Sequence, residues 1–460
     1  MAGWRWCRSR RGVVAILGLA SILGIGQAAR AADGATTATE VTERGRIALT
    51  LHGYLRPAWS DDAYKKARRF WGPGAPDPDT EPERYAAAFR ERYGLHPAPY
   101  PNDGLPMGLR KGVLPDGTRR GIQVDCLLCH GGSIGGKSHV GLGNTQLDLT
   151  RLFEELTRAD GRRFPLTPYV INSARGTNNA GMFSAVLLSL RNTDLSFRKF
   201  PLPLGANLPE MDTIAWWNYG PKSTMYYDGR TPADSTRSMM QFLLGEKSRS
   251  EFEALEPTFR EIQAYLRSIT PPKYPFAIDQ ARAEQGRRVF ENRCSKCHGT
   301  YGENPSYPNE IVALKVIGTD PSRATGMSDR MIAHYNATWF ATEHPADPVM
   351  TGYQAPPLRG IWATAPYLHN GSVPTLRHLL RSGERPARFL RPPSTEFEHY
   401  DQERVGWKSP VVTDPGRLSP EEKRRFFDAS RFGLGNGGHT FGDALGEADL
   451  ANLIEYLKTL

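Results

Sequence analysis

Two short runs set the chemistry. Cys126-Leu127-Leu128-Cys129-His130 and Cys294-Ser295-Lys296-Cys297-His298 repeat the pattern Cys-x-x-Cys-His. Two linking residues let both sulfurs reach one edge of a porphyrin and add to its vinyl groups. The next residue then turns an imidazole under the iron. A lone motif of this kind also suits a redox dithiol or half of a zinc site. A four-cysteine zinc site would leave both following histidines without a role. The pattern therefore points to two covalently bound haem c groups, held by Cys126, Cys129, Cys294 and Cys297, with His130 and His298 as metal ligands. Of the five cysteines, Cys7 alone falls outside the motifs.

The elements around the motifs repeat. Glu261 to Ile269 matches Asn452 to Leu460 in residue type at most positions, and each segment follows a haem motif. This reads as two cytochrome-like units in tandem, each closed by a helix. In the second, Leu450, Leu453, Ile454 and Leu457 share one helical face. Ala281 to Asn292 reads as an earlier helix that crosses it, with Gly286 permitting close approach and Phe290 and Tyr456 packing beside it. Three prolines in Thr270-Pro271-Pro272-Lys273-Tyr274-Pro275 mark an extended linker. In the first unit Pro82 to Tyr93 reads as a helix, Pro97 to Arg120 as turn-rich, and Gly131 to Gly136 as a pliable loop. The expected fold is mainly α, with two tandem cytochrome-c-like domains, long loops and little β.

The N-terminus carries a basic stretch, an apolar run from Val13 to Ile25 and small residues at Ala29 and Ala31, the layout of a secretory signal. The expected domains are a signal peptide over 1–32, an N-terminal haem domain over 33–270 and a C-terminal cytochrome domain over 277–460. The run is short for a membrane span, and none is expected after signal cleavage. The formal charge of +9 owes five arginines to residues 1–32, which hold no acid, leaving +4. So modest an excess gives no ground for nucleic-acid binding. Periplasmic or secreted placement agrees with covalent haem attachment outside the cytoplasm.

Several segments carry a family resemblance. Tyr226-Tyr227-Asp228-Gly229-Arg230 resembles an element of bacterial di-haem cytochrome c peroxidases, as does Thr364-Ala365-Pro366-Tyr367-Leu368-His369-Asn370-Gly371-Ser372. Asp103 to Gly108, Ala215-Trp216-Trp217-Asn218, Cys297 to Gly302 and Gly438-His439-Thr440-Phe441-Gly442 are more similar to the rubber-oxygenase group of that superfamily, which includes fatty-acid dioxygenases. The resemblance implies that His439 is the second axial ligand of the C-terminal haem, with His369, Met350 and His344 as rivals. It places Tyr227 between the haems, where peroxidases usually have tryptophan. Asp228 and Arg230 read as a structural pair or a propionate clamp. Trp216 and Trp217 are candidates for lining the distal pocket of the N-terminal haem, with ordinary core packing as the alternative. His139 is a sixth ligand there or a surface histidine. Peroxidase relatives also hold a calcium ion between the units, which the sequence leaves open here.

Glu246 follows Tyr227 at about the spacing of the peroxidase acid-base glutamate. Rubber oxygenases lack that group and use an apolar pocket for O2. The leading expectation is a di-haem oxygenase acting with O2 on an apolar unsaturated substrate. The N-terminal haem would react, and the distal face opposite His130 would be apolar, with Trp216 or Trp217 in it and Glu246 pointing elsewhere. A peroxidase is the alternative enzyme. A non-enzymatic electron-transfer cytochrome, served by a small redox protein, is the alternative of another class.

Overall fold

A computed structural model describes residues 37–113, 120–163, 172–245, 247–349 and 351–460. The signal segment, Glu246 and Met350 lie outside the described residues.

Two helix crossings organise the chain. The helix Ala38–Leu51 opens with a capping box, in which Thr37 Oγ1 accepts from Glu40 N and the Glu40 carboxylate accepts from Thr37 N. The helix Arg249–Ser268 opens the same way with Ser248 and Glu251. It buries Phe252, Phe259, Ile262 and Leu266 in the core that holds Ala48 and Leu49 of the first helix. The two backbones meet at Gly45, where a Cβ would overlap the carbonyl of Glu261. The second crossing joins Gln280–Arg293 to Glu447–Lys458. There a Cβ on Gly286 would overlap the carbonyl of Asn452. Phe290 and Tyr456 pack beside it with ring centres 5.3 Å apart. Glu261 and Asn452 are the residues that the internal repeat sets in register, so the same point of each closing helix receives a glycine.

The described residues are mainly helical, and their β structure lies in small antiparallel sheets of two or three strands. Arg120–Val124 forms the centre of a three-stranded antiparallel sheet between Trp59–Ser60 and Leu109–Val113. Part of the segment expected to be turn-rich is therefore strand. Gly131 to Gly136 is not a pliable loop either. Gly131–Ile134 pairs with Lys137–Val140 around Gly135-Gly136, whose φ values of +57° and +71° suit a two-residue hairpin turn. A Cβ on Gly132 would overlap the carbonyl of Gly143, so glycine there serves close packing.

Three apolar cores support the motifs. Cys126 and Leu127 belong to the core between the N-terminal crossing helices. Leu128 and Cys129 pack on an aromatic cluster of Trp59, Tyr85, Phe89 and Tyr93. Cys294 packs on the third core with Phe290, Trp362 and Leu453. Each buried Leu or Phe contributes about 1.5–3 kcal/mol by leaving water, so Leu127 and Leu128 anchor the N-terminal motif, whereas the turn Ser295–His298 fully buries none of its own residues. Among the described residues no helix is long and apolar enough to cross a membrane.

Candidate haem sites

The N-terminal motif is held from both ends. Asp125 accepts from Leu127 N at 2.7 Å and pairs with buried Arg110 at 2.5 Å. Arg110 also donates to the carbonyls of Leu49 and Thr50, at the end of the first helix. One guanidinium thus ties the motif to the crossing helices. His130 Nδ1 lies 3.2 Å from the carbonyl oxygen of Ile214. A protonated Nδ1 donates that bond and leaves the Nε2 lone pair free, the usual setting of a metal-binding imidazole. Burial pushes His130 down to about 4, so the ring is neutral.

The face of that ring is covered. Trp216 stacks on it with centres 4.3 Å apart and planes inclined by 16°. Trp216, expected in the pocket opposite His130, is placed against the His130 ring itself. Its place follows from its backbone: Trp216 N donates to Gly141 O at 2.7 Å, and Gly141 N donates to His130 O at 2.8 Å. Trp217 packs in a core, the alternative reading for this residue. It is 1 % exposed within the C-terminal core, and its indole N–H donates to Arg359 O at 2.8 Å. His139 sits across the hairpin from Gly132. Glu246 lies outside the described residues.

The C-terminal motif repeats the arrangement. His298 Nδ1 lies 2.8 Å from the carbonyl oxygen of Pro356, and burial lowers its pKa. His439 faces it, with ring centres 6.4 Å apart. Burial, with His298 and Arg385 adding to it, lowers His439 to about 4. Its Nδ1 is buried without a hydrogen-bond partner. The rival His369 is elsewhere, stacked on Tyr353 at 4.5 Å.

His439 is held in a left-handed backbone conformation, φ +47°, which a non-glycine residue keeps only under constraint from its surroundings. That constraint is visible. Arg385 donates to the carbonyls of Asn436, Gly438 and His439 at 2.7, 2.6 and 3.2 Å, and anchors itself on those of His378 and Leu379. Asn370 donates to Gly433 and Gly435, and Ser372 to Gly435. Part of the His-Asn-Gly-Ser element thus serves to fix the loop that carries His439. A Cβ on Gly438 would overlap the backbone of Gly318 and Thr319.

A short run of chain, residues 212–214, ties His130 to His369. Ile214 O accepts from His130, Asp212 N donates to His369 O at 2.9 Å, and Tyr227 OH donates to Asp212 O at 3.2 Å. The Tyr227 ring lies 6.0 Å from that of His369. Burial pushes Asp212 up to about 7, against the pull of Arg391 and the Thr213 N–H. Asp228 pairs more closely with Arg323, at 2.7 Å, than with Arg230, at 3.6 Å. Arg391, 1 % exposed, keeps Nε and Nη1 without partners.

These residues fit haem c. His298 and His439, with ring centres 6.4 Å apart, would both hold one haem iron between them. The four motif cysteines are free thiols. The unpartnered donors of Arg391 suit a propionate. Among the described residues no three of His, Cys, Asp and Glu gather as a metal cluster. The two motifs therefore do not merge into one zinc site, and no calcium site is assigned.

Sequence reasoning missed Gly45, Arg110, Arg385 and Arg391. The partners of each lie far along the chain, and a lone arginine carries no motif.

Comparison with known proteins agrees with the motifs. Residues 352–390 match a family model described as RoxA-like, cytochrome c-like. Two relatives from Sinorhizobium fredii, the uncharacterized proteins y4iM and y4iJ, are 28% identical over 305 residues and 32% identical over 261. These matches cover 56% and 42% of this chain, and 66% and 41% of the relatives. The chain thus spans just under two thirds of one relative's length and under half of the other's. Among solved structures, a MauG-like protein associated with microbial copper homeostasis overlays with a TM-score of 0.31 at 15% identity, covering 65% of this chain and 94% of that one. Hydrazine synthase from Kuenenia stuttgartiensis overlays with a TM-score of 0.22 at 14% identity, covering 60% and 87%. At these scores neither overlay carries an argument.

Proposed function

We propose that this chain is a c-type cytochrome similar to the rubber-oxygenase-like group of the di-haem cytochrome c peroxidase superfamily, and that it carries one saturated and one reactive haem. The observation that carries this reading is the 6.4 Å separation of His298 and His439. Among the described residues no second imidazole faces His130 in the same way, and its ring neighbour is Trp216. When bound, the haems supply iron that exchanges single electrons and, where a coordination position is open, takes up O2 or peroxide.

The chain's own residues set the asymmetry. Pro356 O and Ile214 O each hold an Nδ1–H and so aim an Nε2 lone pair at a metal position. Arg385, Asn370 and Ser372 bring His439 over the C-terminal position and close it. Trp216 keeps the His130 ring from turning. Tyr227, half-buried beside Asp212 and His369, supports the reading of an aromatic between the sites. The matched glycine crossings support two tandem units with a boundary in residues 270–276.

The specific reaction we propose is an O2-dependent oxygenation of an apolar unsaturated compound, outside the cytoplasm. Support comes from the RoxA-like match and the motifs similar to rubber oxygenases. Peroxidase chemistry with a small redox partner is the second reading, favoured by the tryptophan stacked on the iron ligand. The purified two-haem protein, assayed with O2 and with hydrogen peroxide against alkenes and fatty acids, separates them. Oxygen uptake with alkene cleavage supports the first. Turnover with peroxide and an electron donor alone replaces it with the second. No turnover, with neither haem binding carbon monoxide, leaves an electron carrier.

A further inference from the structure

We propose that Trp216 is the redox-active residue of the N-terminal haem site, passing single electrons between the His130-bound iron and a reductant outside the protein. This rests on the reading above that the N-terminal haem is the reactive one.

Contact comes first. The indole lies face to face with the imidazole of His130, centres 4.3 Å apart and planes 16° apart. No saturated linker separates its π system from the iron's ligand. The stack is fixed by backbone bonds on both partners, through Gly141 for Trp216 and Ile214 for His130.

Access comes second. Trp216 is half-buried, and its N–H has no hydrogen-bond partner among the described residues. Its neighbour Trp217 is sealed in the core with its N–H bound to Arg359 O. Tyr227 is the other aromatic near the sites. A phenol gives up its proton when oxidised, and the acceptor of the Tyr227 hydroxyl is a backbone carbonyl, a poor base. An indole needs no base at the instant of oxidation, and water can take its N–H proton afterwards. Of the three aromatics, Trp216 alone joins contact with the ligand to a route for the proton.

The step is one electron. The oxidised haem centre gains it, the indole loses it, and the N–H proton leaves to water. Hydrogen peroxide serves as oxidant, taking two electrons and two protons to form two water molecules. One electron comes from the haem and one from Trp216. Two one-electron donors, each delivering to the half-buried indole, restore both, and the indole regains its proton from water.

The test uses the ferric two-haem protein, freeze-quenched after mixing with hydrogen peroxide, with ferrocyanide as external donor. The wild type should give an organic radical in electron paramagnetic resonance whose line shape changes when its tryptophans are ring-deuterated. Trp216→Phe keeps a ring against His130. It should retain two haems and the resting optical spectrum, lose that radical, and oxidise ferrocyanide about tenfold more slowly or worse. Trp216→Leu should lose the radical and also shift the N-terminal haem spectrum. A radical that persists in Trp216→Phe, one that vanishes in Tyr227→Phe instead, or an unchanged ferrocyanide rate overturns the inference while leaving a reactive haem in place. Wild-type haems that ignore peroxide and carbon monoxide overturn both.

Discussion

Arg385 donates to the carbonyl of His439 at 3.2 Å while holding the same loop at Gly438 and Asn436. A histidine in a left-handed conformation is thus kept in place by one guanidinium from residues 352–390, the segment that matches the family model. Hydrogen bonds from a charged group are worth about 1.5–3 kcal/mol each, and several act together here.

Arg385→Ala should therefore free the loop. The C-terminal haem should pass partly from a low-spin to a high-spin spectrum, with its covalent attachment intact. Arg385→Lys, which cannot span all five carbonyls, should fall between. A fully low-spin spectrum in Arg385→Ala would show that His439 holds its place without the clamp.

The two glycine crossings predict a matched pair of variants. A methyl group at Gly45 or Gly286 meets a carbonyl of the partner helix, so each helix pair must part. Gly45→Ala and Gly286→Ala should each lower stability by about 1–3 kcal/mol, read as a fall in Tm. Gly45→Ala should disturb the His130 haem spectrum more, and Gly286→Ala the His298 spectrum. Equal and indiscriminate effects on both haems would argue against two separately closed units.

Asp212 predicts a pH dependence. Its folded pKa is raised to about 7, above the ordinary carboxyl value near 4. The folded protein then binds more protons than the unfolded chain between these values, so this group's contribution to stability is full below about 4. It is lost as pH rises through about 7. Asp212→Asn should flatten that slope, so that the variant gains on the wild type between pH 5 and pH 8. A denaturant series across this range gives the answer, and an unchanged slope would show that another group titrates.

Tyr227→Phe should keep two haems and remove the bond to Asp212 O. If Tyr227 only packs between the sites, electron exchange between the haems should change less than about tenfold, measured by flash reduction. A larger loss would give the phenol itself a redox role, at the expense of Trp216.

The local chemistry is legible in the sequence. Cys-x-x-Cys-His carries its geometry within five residues, and the periodic apolar positions of the last helix mark its buried face unaided. The family resemblance brings out His439. What stays hidden depends on distant partners. Gly45 has meaning only opposite Glu261, and Arg110 only between Asp125 and the carbonyls of Leu49 and Thr50. Sequence alone does not show that Trp216 stacks on His130, because its place is fixed by Gly141, far back along the chain. The hairpin reads as a loop because glycine suggests pliability, where Gly135-Gly136 is a turn and Gly132 a packing contact.

The claim of one closed and one open haem is tested most directly by the electron paramagnetic resonance spectrum of the ferric protein, with bound haem counted by mass, for the wild type and His439→Ala. Two covalent haems are expected. In the wild type one should be a low-spin bis-imidazole centre, from His298 and His439, and the other a separate centre that carbon monoxide reaches on reduction. In His439→Ala the low-spin bis-imidazole signal should vanish while the second centre stays. One haem or none by mass, or a bis-imidazole signal that survives His439→Ala, would contradict the claim.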